Sequence, residues 1–238
     1  MVSVGMKCFV KCCDSIGVVA FAFRSRKPCS RPWSAPLKGA WYMTGSSAYL
    51  RERLLIRLLE DSDAAALAGA YQRNREHLAP WEPKRTDRFF TSGHQADIIR
   101  AKLAQHALGT EVPWVLVEEE DDGGGTVCAG HRAGRVVGAV TLTGIVHGPF
   151  LSANLGYLVD HELTGQGIGT AAVRHAANYA RTSLGLHRIQ AATLLHNTAS
   201  RRILQRAGFR EIGVAPEYLK IAGQWQDHLL HQLILPHS

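Results

Sequence analysis

The chain has 238 residues, of which 46% are hydrophobic, and a formal net charge of +7. This length and composition exclude a disordered chain and allow one well-buried core. Residues 1–42 carry seven basic side chains against Asp14 alone, so the remainder holds 20 basic and 19 acidic side chains. We therefore expect neither direct nucleic-acid binding nor a membrane span, since no apolar run approaches roughly 18 residues.

Residues 1–42 form a basic leader with a composition of its own. It lacks apolar periodicity, contains three prolines, and ends before Met43, which could itself be a translation start. We interpret it as a disordered or mis-annotated extension of a domain spanning 43–238. Four of the five cysteines lie in it without a Cys-x-x-Cys pair, so the sequence predicts no metal site, no disulfide framework and a cytoplasmic location.

The rest of the chain alternates strands and helices in the order β-α-α-β-β-β-α-β-α-β-β. Strands are predicted from short apolar runs at 53–59, 114–118, 135–142, 153–159, 188–194, 209–214 and 226–233. Four helices are predicted. The first follows Asp63 and runs to Tyr71, the second runs from Ser92 to Ala107, the third follows an apolar stripe from Ile168 to Leu184, and the fourth runs from Thr198 to Ala207. The prolines in 74–90 predict a loop, and 119–134 is expected to be an exposed hairpin loop.

A glycine-rich turn joins a predicted strand to an amphipathic helix. Its sequence is Leu163-Thr164-Gly165-Gln166-Gly167-Ile168-Gly169-Thr170. Backbone amides at a helix N-terminus converge on anionic oxygen, and glycines let the backbone approach it closely. The turn therefore favours a diphosphate cradle, although an ordinary strand-to-helix turn has the same spacing.

Two flanking segments give this turn a context. Gly156-Tyr157-Leu158-Val159-Asp160 precedes it, and Asn197-Thr198-Ala199-Ser200-Arg201-Arg202-Ile203-Leu204 follows it. Together they closely resemble the coenzyme A site of GNAT N-acetyltransferases. Segments 74–81 and 218–228 resemble the ribosomal-protein-alanine (RimJ/RimL) type, so the likeness covers about residues 50–235. Thr164 departs from the family's Q/R-x-x-G-x-G/A turn, which opens on glutamine or arginine.

This resemblance implies an α/β (α+β) fold with one mixed sheet of about seven strands, splayed between its fourth and fifth strands and flanked by helices. Acetyl-CoA would lie in the gap with no metal, because its thioester is already activated. Leu158 and Val159 are expected to pair with pantetheine. The remaining expected coenzyme contacts are Thr164, Gly165, Gln166, Gly167, Ile168, Gly169, Thr170, Asn197, Ser200 and Arg202. Arg201 and Arg206 either join Arg202 at the 3′-phosphate or form a basic helix surface.

Direct transfer needs one group to take a proton from the amine and another to protonate the leaving thiolate. The resemblance implies Glu217 as the base, through a water where the distance is long, and Ser200 as the acid. Tyr157 is a third candidate facing the thioester. Each has a structural alternative, namely an exposed loop glutamate, a helix-start serine and a packed strand tyrosine.

The acceptor end is expected to be shaped by His77, Trp81, Trp225, Asp227 and His228. An α-amino group titrates near about 8 and lysine near about 10.4, so the α-amine has more of its nucleophilic form at neutral pH. The resemblance points to a protein N-terminus, such as that of a ribosomal protein, as the acceptor of the acetyl group. The enzyme itself is expected to be a monomer or a homodimer. Two alternatives are a small amine or antibiotic, favoured by an acidic pocket, and a non-catalytic acyl-CoA-binding module.

Overall fold

The computed structural model describes residues 47–119 and 134–236. The basic leader, Cys128 and most of the expected hairpin loop lie outside these residues. The strands are β1 (Ala48–Arg51), β2 (Leu54–Leu58), β3 (Glu111–Glu119), β4 (Gly134–Val146), β5 (Ser152–Val159), β6 (Arg188–Leu194), β7 (Arg210–Ile221) and β8 (Gln224–Ile234). They form a single eight-stranded sheet in the order β1-β2-β3-β4-β5-β6-β8-β7.

Helices flank this sheet. They are α1 (Ala64–Arg73), α2 (Arg75–Leu78), α3 (Ser92–Ala107), α4 (Ile168–Thr182) and α5 (Thr198–Arg206), with short 3-10 turns at Asp61–Asp63, Asp87–Phe90 and His161–Leu163. In the described ranges, no helix is both long enough and apolar enough to cross a membrane. The prediction of a mixed sheet with flanking helices is confirmed.

Successive side chains of β3 point to opposite faces of the sheet, and each face is covered by helices. Trp114 and Leu116 belong to the core cluster that contains α4, whereas Val115 and Val117 belong to the cluster formed with α1 and α3. All four side chains are almost completely buried. Burying a side chain of this size contributes roughly 1.5–3 kcal/mol each, so β3 is a main anchor of the core.

The apolar stripe predicted for α4 covers the face that packs on the sheet. Ile168, Ala172, Val173, Ala176 and Ala180 are all buried there, at the spacing of one helical face. The small alanines let the helix lie close to the sheet. The start of α4 is thereby fixed at the edge of the splayed region.

The sheet opens between β5 and β6. These two strands are parallel, and they pair only where Ser152, Ala153 and Asn154 meet residues 188–190. Beyond that point, β5 continues to Val159 in antiparallel pairing with β4 on its other side. The second half of β5 therefore presents a strand edge to the gap, as the predicted splay requires.

The structure corrects the sequence-based element pattern at three places. Within the described residues the sheet has eight strands, not about seven, because Ala48–Arg51 adds an antiparallel edge strand to β2. The 74–90 segment contains the short helix α2 besides loop. Strand β7 continues past Pro216 to Ile221, because pairing with β8 resumes at Leu219 after an irregularity.

Candidate active site

The glycine turn ends at the first residue of α4. Gly165 and Gly167 have φ values of 78° and 81°, and Gly167 is the N-cap of the helix. A residue with a Cβ would cost roughly 1–2 kcal/mol of folding free energy at each of these positions, because it is strained at a positive φ. A Cβ at either glycine would meet nothing within 4 Å, so open space adjoins the turn. The free backbone amides of α4 therefore begin beside a space that can hold an anion.

A buried carboxylate, Asp160, fixes the entry to this turn. Its side chain is fully buried and accepts hydrogen bonds from Nη2 of Arg73 at 3.1 Å, from Nη2 of Arg135 at 3.2 Å and from the Glu162 amide at 3.2 Å. Burial alone would raise the pKa of this carboxyl, but these donors hold it below its usual value. The turn is thus attached to α1 and β4 by a charged network.

Asn74 makes a second connection from the end of α1. It is 1% exposed, and its Oδ1 accepts the backbone N–H of His161 at 2.8 Å. Its Nδ2 donates to the Ala70 carbonyl within the helix, so both ends of the amide are used. The end of α1, from which the 75–90 segment departs, is therefore held against the coenzyme turn.

Three predicted site residues come together beside the gap. Tyr157 on β5 and Ser200 on α5 place their hydroxyl oxygens 2.7 Å apart. Oδ1 of Asn197 accepts the Ser200 backbone N–H at 3.0 Å and caps the helix. Burial raises the pKa of Tyr157 to about 12, so its phenol is a neutral hydrogen-bond donor at physiological pH. The pair can donate a hydrogen bond, and the phenol is not a base.

Glu217 lies in the irregular part of β7, where pairing with β8 is interrupted. Its φ is 47°, a conformation that is uncommon for residues other than glycine and that clusters at functional positions. Its backbone N–H donates to Oδ1 of Asp227 at 2.9 Å, which fixes the bulge. The Glu217 side chain is exposed, and among the predicted residues it is the Glu217 backbone, not the carboxylate, that contacts Asp227.

The other predicted acceptor residues occupy separate positions. The Trp81 ring lies against His196, just before Asn197, with ring centroids 5.3 Å apart. His77 is exposed, with its ring 5.9 Å from that of His161. Trp225 is 61% exposed on β8, whereas His228 is 3% exposed and its Nδ1 lies 2.9 Å from the Gln226 carbonyl oxygen.

A cavity of about 330 Å³ lies under the 75–90 segment. Among its lining residues are Tyr71, Phe89 and Phe90, together with four charged residues, Arg75, Glu82, Lys84 and Arg85. The carbonyl of Glu82 accepts the Ala222 N–H at 3.0 Å, which joins this segment to the turn between β7 and β8. Arg75 is paired with Asp87 at 2.6 Å and Arg85 with Glu82 at 3.8 Å, so Lys84 is the excess charge among these four residues.

Burial and the neighbouring cation act in opposite directions on Glu82. Burial raises the pKa of its carboxyl, while Arg85, 3.8 Å away, lowers it, and the net shift is upward. Burial also raises the pKa of the Tyr71 phenol above its usual value. Arg75, Leu78 and Ala79 lie in the 74–81 segment that carried the family resemblance, and Ala222 lies in the 218–228 segment, but none of them was given a role from the sequence.

Helices α4 and α5 meet closely behind the glycine turn. A Cβ on Gly169 would come within 2.8 Å of Cδ1 of Ile203, so glycine permits this approach. Arg201 is paired with Glu211 at 3.2 Å, whereas Arg202 and Arg206 are exposed. Arg202 thus remains a candidate contact for the coenzyme nucleotide, and Arg201 already has a protein partner.

Comparison with known proteins agrees with this arrangement. A family model described as the acetyltransferase (GNAT) domain matches residues 53–210. Over 186 residues the chain is 33% identical to the ribosomal protein uS5-alanine N-acetyltransferase of Escherichia coli (strain K12), covering 78% of this chain and 89% of that protein.

Two solved structures extend the likeness. The ribosomal-protein-S5-alanine acetyltransferase from Vibrio fischeri has a TM-score of 0.71 and 33% identity, with 79% of this chain and 96% of that chain covered. Mycobacterium smegmatis RimJ in complex with CoA-disulfide has a TM-score of 0.67 and 34% identity, with 78% and 85% covered. The chain therefore belongs to the GNAT acetyltransferase family and is an N-acetyltransferase.

Proposed function

We propose that this enzyme transfers the acetyl group of acetyl-CoA to the N-terminal α-amino group of a protein, with ribosomal proteins as its acceptors. The observation that carries the proposal is the Tyr157–Ser200 hydroxyl pair at 2.7 Å, placed beside the gap in the sheet. The similar enzymes act on ribosomal-protein alanine by name, at 33% identity. Both observations support acetyl transfer by direct attack of an amine.

The splayed sheet and the glycine turn fit acetyl-CoA. Leu158 and Val159 lie on the half of β5 that no longer pairs with β6, so their backbone groups can pair with pantetheine amides. The diphosphate would lie against the amides that follow Gly165 and Gly167. A solved relative at 34% identity is in complex with CoA-disulfide, which supports coenzyme A as the ligand of this chain.

The reaction requires two proton transfers: the attacking amine loses one proton, and the departing thiolate gains one. The amine nitrogen attacks the thioester carbonyl carbon, a C–N bond forms, and the C–S bond breaks. Glu217, or a water that it orients, would receive the proton that the amine loses. The Ser200 hydroxyl would protonate the departing thiolate, with the neutral Tyr157 phenol stabilising the Ser200 oxygen by a hydrogen bond.

The acceptor would enter between the 75–90 segment and the β7–β8 hairpin. Trp81 and the bulge at Glu217 lie on these two elements, which the Glu82–Ala222 hydrogen bond joins. With Arg75 and Arg85 in ion pairs, the lining of the adjoining cavity has no net negative charge that would attract a polycationic acceptor such as a polyamine or aminoglycoside. An α-amine is also easier to deprotonate than lysine at neutral pH.

Steady-state kinetics with a panel of amines test this proposal. The full chain is incubated with acetyl-CoA and peptides starting with Ala, Ser or Met, beside N-terminally blocked lysine peptides, polyamines and aminoglycosides, and thiol release is followed. We expect release with the free N-terminal peptides alone. An inert peptide panel beside a reactive polyamine would contradict the proposed acceptor.

Glu217→Gln is the variant for the proposed base, and Glu211→Gln is its control on the same strand. We expect Glu217→Gln to lower kcat by about 10²-fold or more with little change in binding of acetyl-CoA. Glu211→Gln should keep wild-type turnover, because that carboxylate pairs with Arg201 at the surface. Equal activity of the two variants would remove Glu217 from the mechanism.

A further inference from the structure

The coenzyme turn lacks a strongly basic side chain of its own. Between Asp160 and Thr170, the chain has Asp160 and Glu162 as acids, with His161 between them and no lysine or arginine. Arg135 is bonded to both of these acids, so its charge is already compensated. The turn therefore offers a diphosphate its backbone amides but no cationic side chain of its own.

Arg51, the last residue of β1, reaches the turn from a distant part of the sequence. Its Nη1 donates to Oε1 of Gln166 over 2.6 Å. Its Nη2 lies 3.9 Å from a carboxylate oxygen of Glu118, which is a loose ion pair with both side chains more than a third exposed. A guanidinium has five N–H donors, so Arg51 keeps most of its donor capacity beside the turn.

The space next to Arg51 is suited to a phosphate. Gly165 and Gly167, on either side of Gln166, have no atom within 4 Å of the place where a Cβ would stand. The planar fork of arginine matches two phosphate oxygens at once, while backbone amides can bind the others. Gln166 holds the guanidinium at the border of this space.

We propose that Arg51 is a coenzyme-binding residue whose guanidinium contacts the diphosphate of acetyl-CoA beside the amides of the 165–167 turn. The inference rests on the proposed use of acetyl-CoA. It gives a function to β1, the strand that the sequence pattern did not predict. It also brings a long cationic side chain to a turn that opens on Thr164.

Calorimetric titration of the full chain with CoA tests this role without relying on activity. We expect Arg51→Gln to raise the Kd for CoA about tenfold, which corresponds to a loss of about 1.4 kcal/mol of binding free energy. Arg51→Lys should recover part of the loss, because it retains the charge but not the planar fork. The difference in Kd for CoA between Arg51→Gln and wild type should become smaller as the NaCl concentration is raised, because salt screens an exposed charge.

Arg100→Gln is the control for loss of one positive charge. Arg100 is an exposed residue on α3 that pairs with Asp97, and its replacement should leave the Kd for CoA unchanged. A Gln166→Ala background separates direct contact from an effect through Gln166. Arg51→Gln should still weaken CoA binding in that background, whereas a residue that only orients Gln166 would have no further effect.

The two levels of the proposal fail differently. If wild type binds CoA and Arg51→Gln binds it within twofold, Arg51 is not a coenzyme contact, and the proposed function stands. If wild type binds neither CoA nor acetyl-CoA at any salt concentration, the proposed function fails together with this inference. Thermal unfolding of each variant near the wild-type midpoint excludes misfolding as the cause of a weaker Kd.

Discussion

Replacing Asp160 by asparagine tests whether a buried charge holds the coenzyme turn in place. Asp160 is fully buried, whereas its partners Arg73 and Arg135 have side chains that are 34% and 35% exposed. Removing one member of a buried pair costs about 3–5 kcal/mol, and partial solvation of the two cations puts Asp160→Asn near the lower limit, at about 3 kcal/mol. For a chain of this size, that loss lowers Tm by about 6–12 °C.

Glu162→Gln is the matched comparison. Glu162 bonds to the same Arg135, but its side chain is 51% exposed, so the loss should be at most about 1 kcal/mol. Both variants are measured by urea denaturation and by thermal unfolding at neutral pH. Asp160→Asn should also weaken CoA binding, because the turn loses its connection to α1 and β4. A cost for Asp160→Asn no larger than that for Glu162→Gln would refute the reasoning.

The pH dependence of this cost follows from the lowered pKa of Asp160. A carboxyl whose pKa is lower in the folded state contributes stability above its unfolded pKa of about 3.9. That contribution is lost as the pH falls through the folded-state pKa. The stability difference between wild type and Asp160→Asn should therefore be constant near neutrality and shrink below about pH 4.

Three further predictions concern the turn, the hydroxyl pair and the cavity. Ser200→Ala should lower kcat by about 10²-fold, and Tyr157→Phe by less, as stopped-flow thiol release would show; unchanged kcat in both excludes the proposed acid. Gly167→Ala should lower the free energy of unfolding by about 1–2 kcal/mol in urea denaturation, because alanine is strained at this positive φ. Its Cβ would meet nothing within 4 Å, so a steric clash adds nothing, and an unchanged free energy of unfolding would contradict this reason. Glu82→Gln should raise Tm at pH 7.5 but not at pH 4, because a carboxyl with a raised folded-state pKa destabilises the fold only once it ionises; equal shifts at both pH values would refute this.

The sequence carried most of the architecture because periodicity reports burial. The stripe from Ile168 to Ala180 predicted α4 and its packing face, and glycine spacing placed the turn before it. Strand β1 was not predicted because Ala48–Arg51 is a short edge strand in which partly buried and exposed residues alternate. No local rule distinguishes such a segment from a loop, since its pairing with β2 decides its conformation.

The site was predictable only where it is local in sequence. Tyr157, Asn197 and Ser200 were named from motifs, and the structure joins the Tyr157 and Ser200 hydroxyls while Asn197 accepts the Ser200 backbone N–H. Asp160 was part of a quoted motif but received no role, because its partner Arg73 is 87 residues away. Arg51 is 115 residues from Gln166, a separation at which a sequence pattern gives no pairing information.

The most direct test of the central claim is to locate the acetyl group on a ribosomal acceptor. The full chain is incubated with isotopically labelled acetyl-CoA and a mixture of unacetylated ribosomal proteins, and the labelled sites are mapped by peptide mass spectrometry. The account predicts label on the N-terminal α-amine of one or a few of these proteins, and its loss with Glu217→Gln. Label confined to lysine side chains, or acetyl transfer to free amines alone, would contradict it.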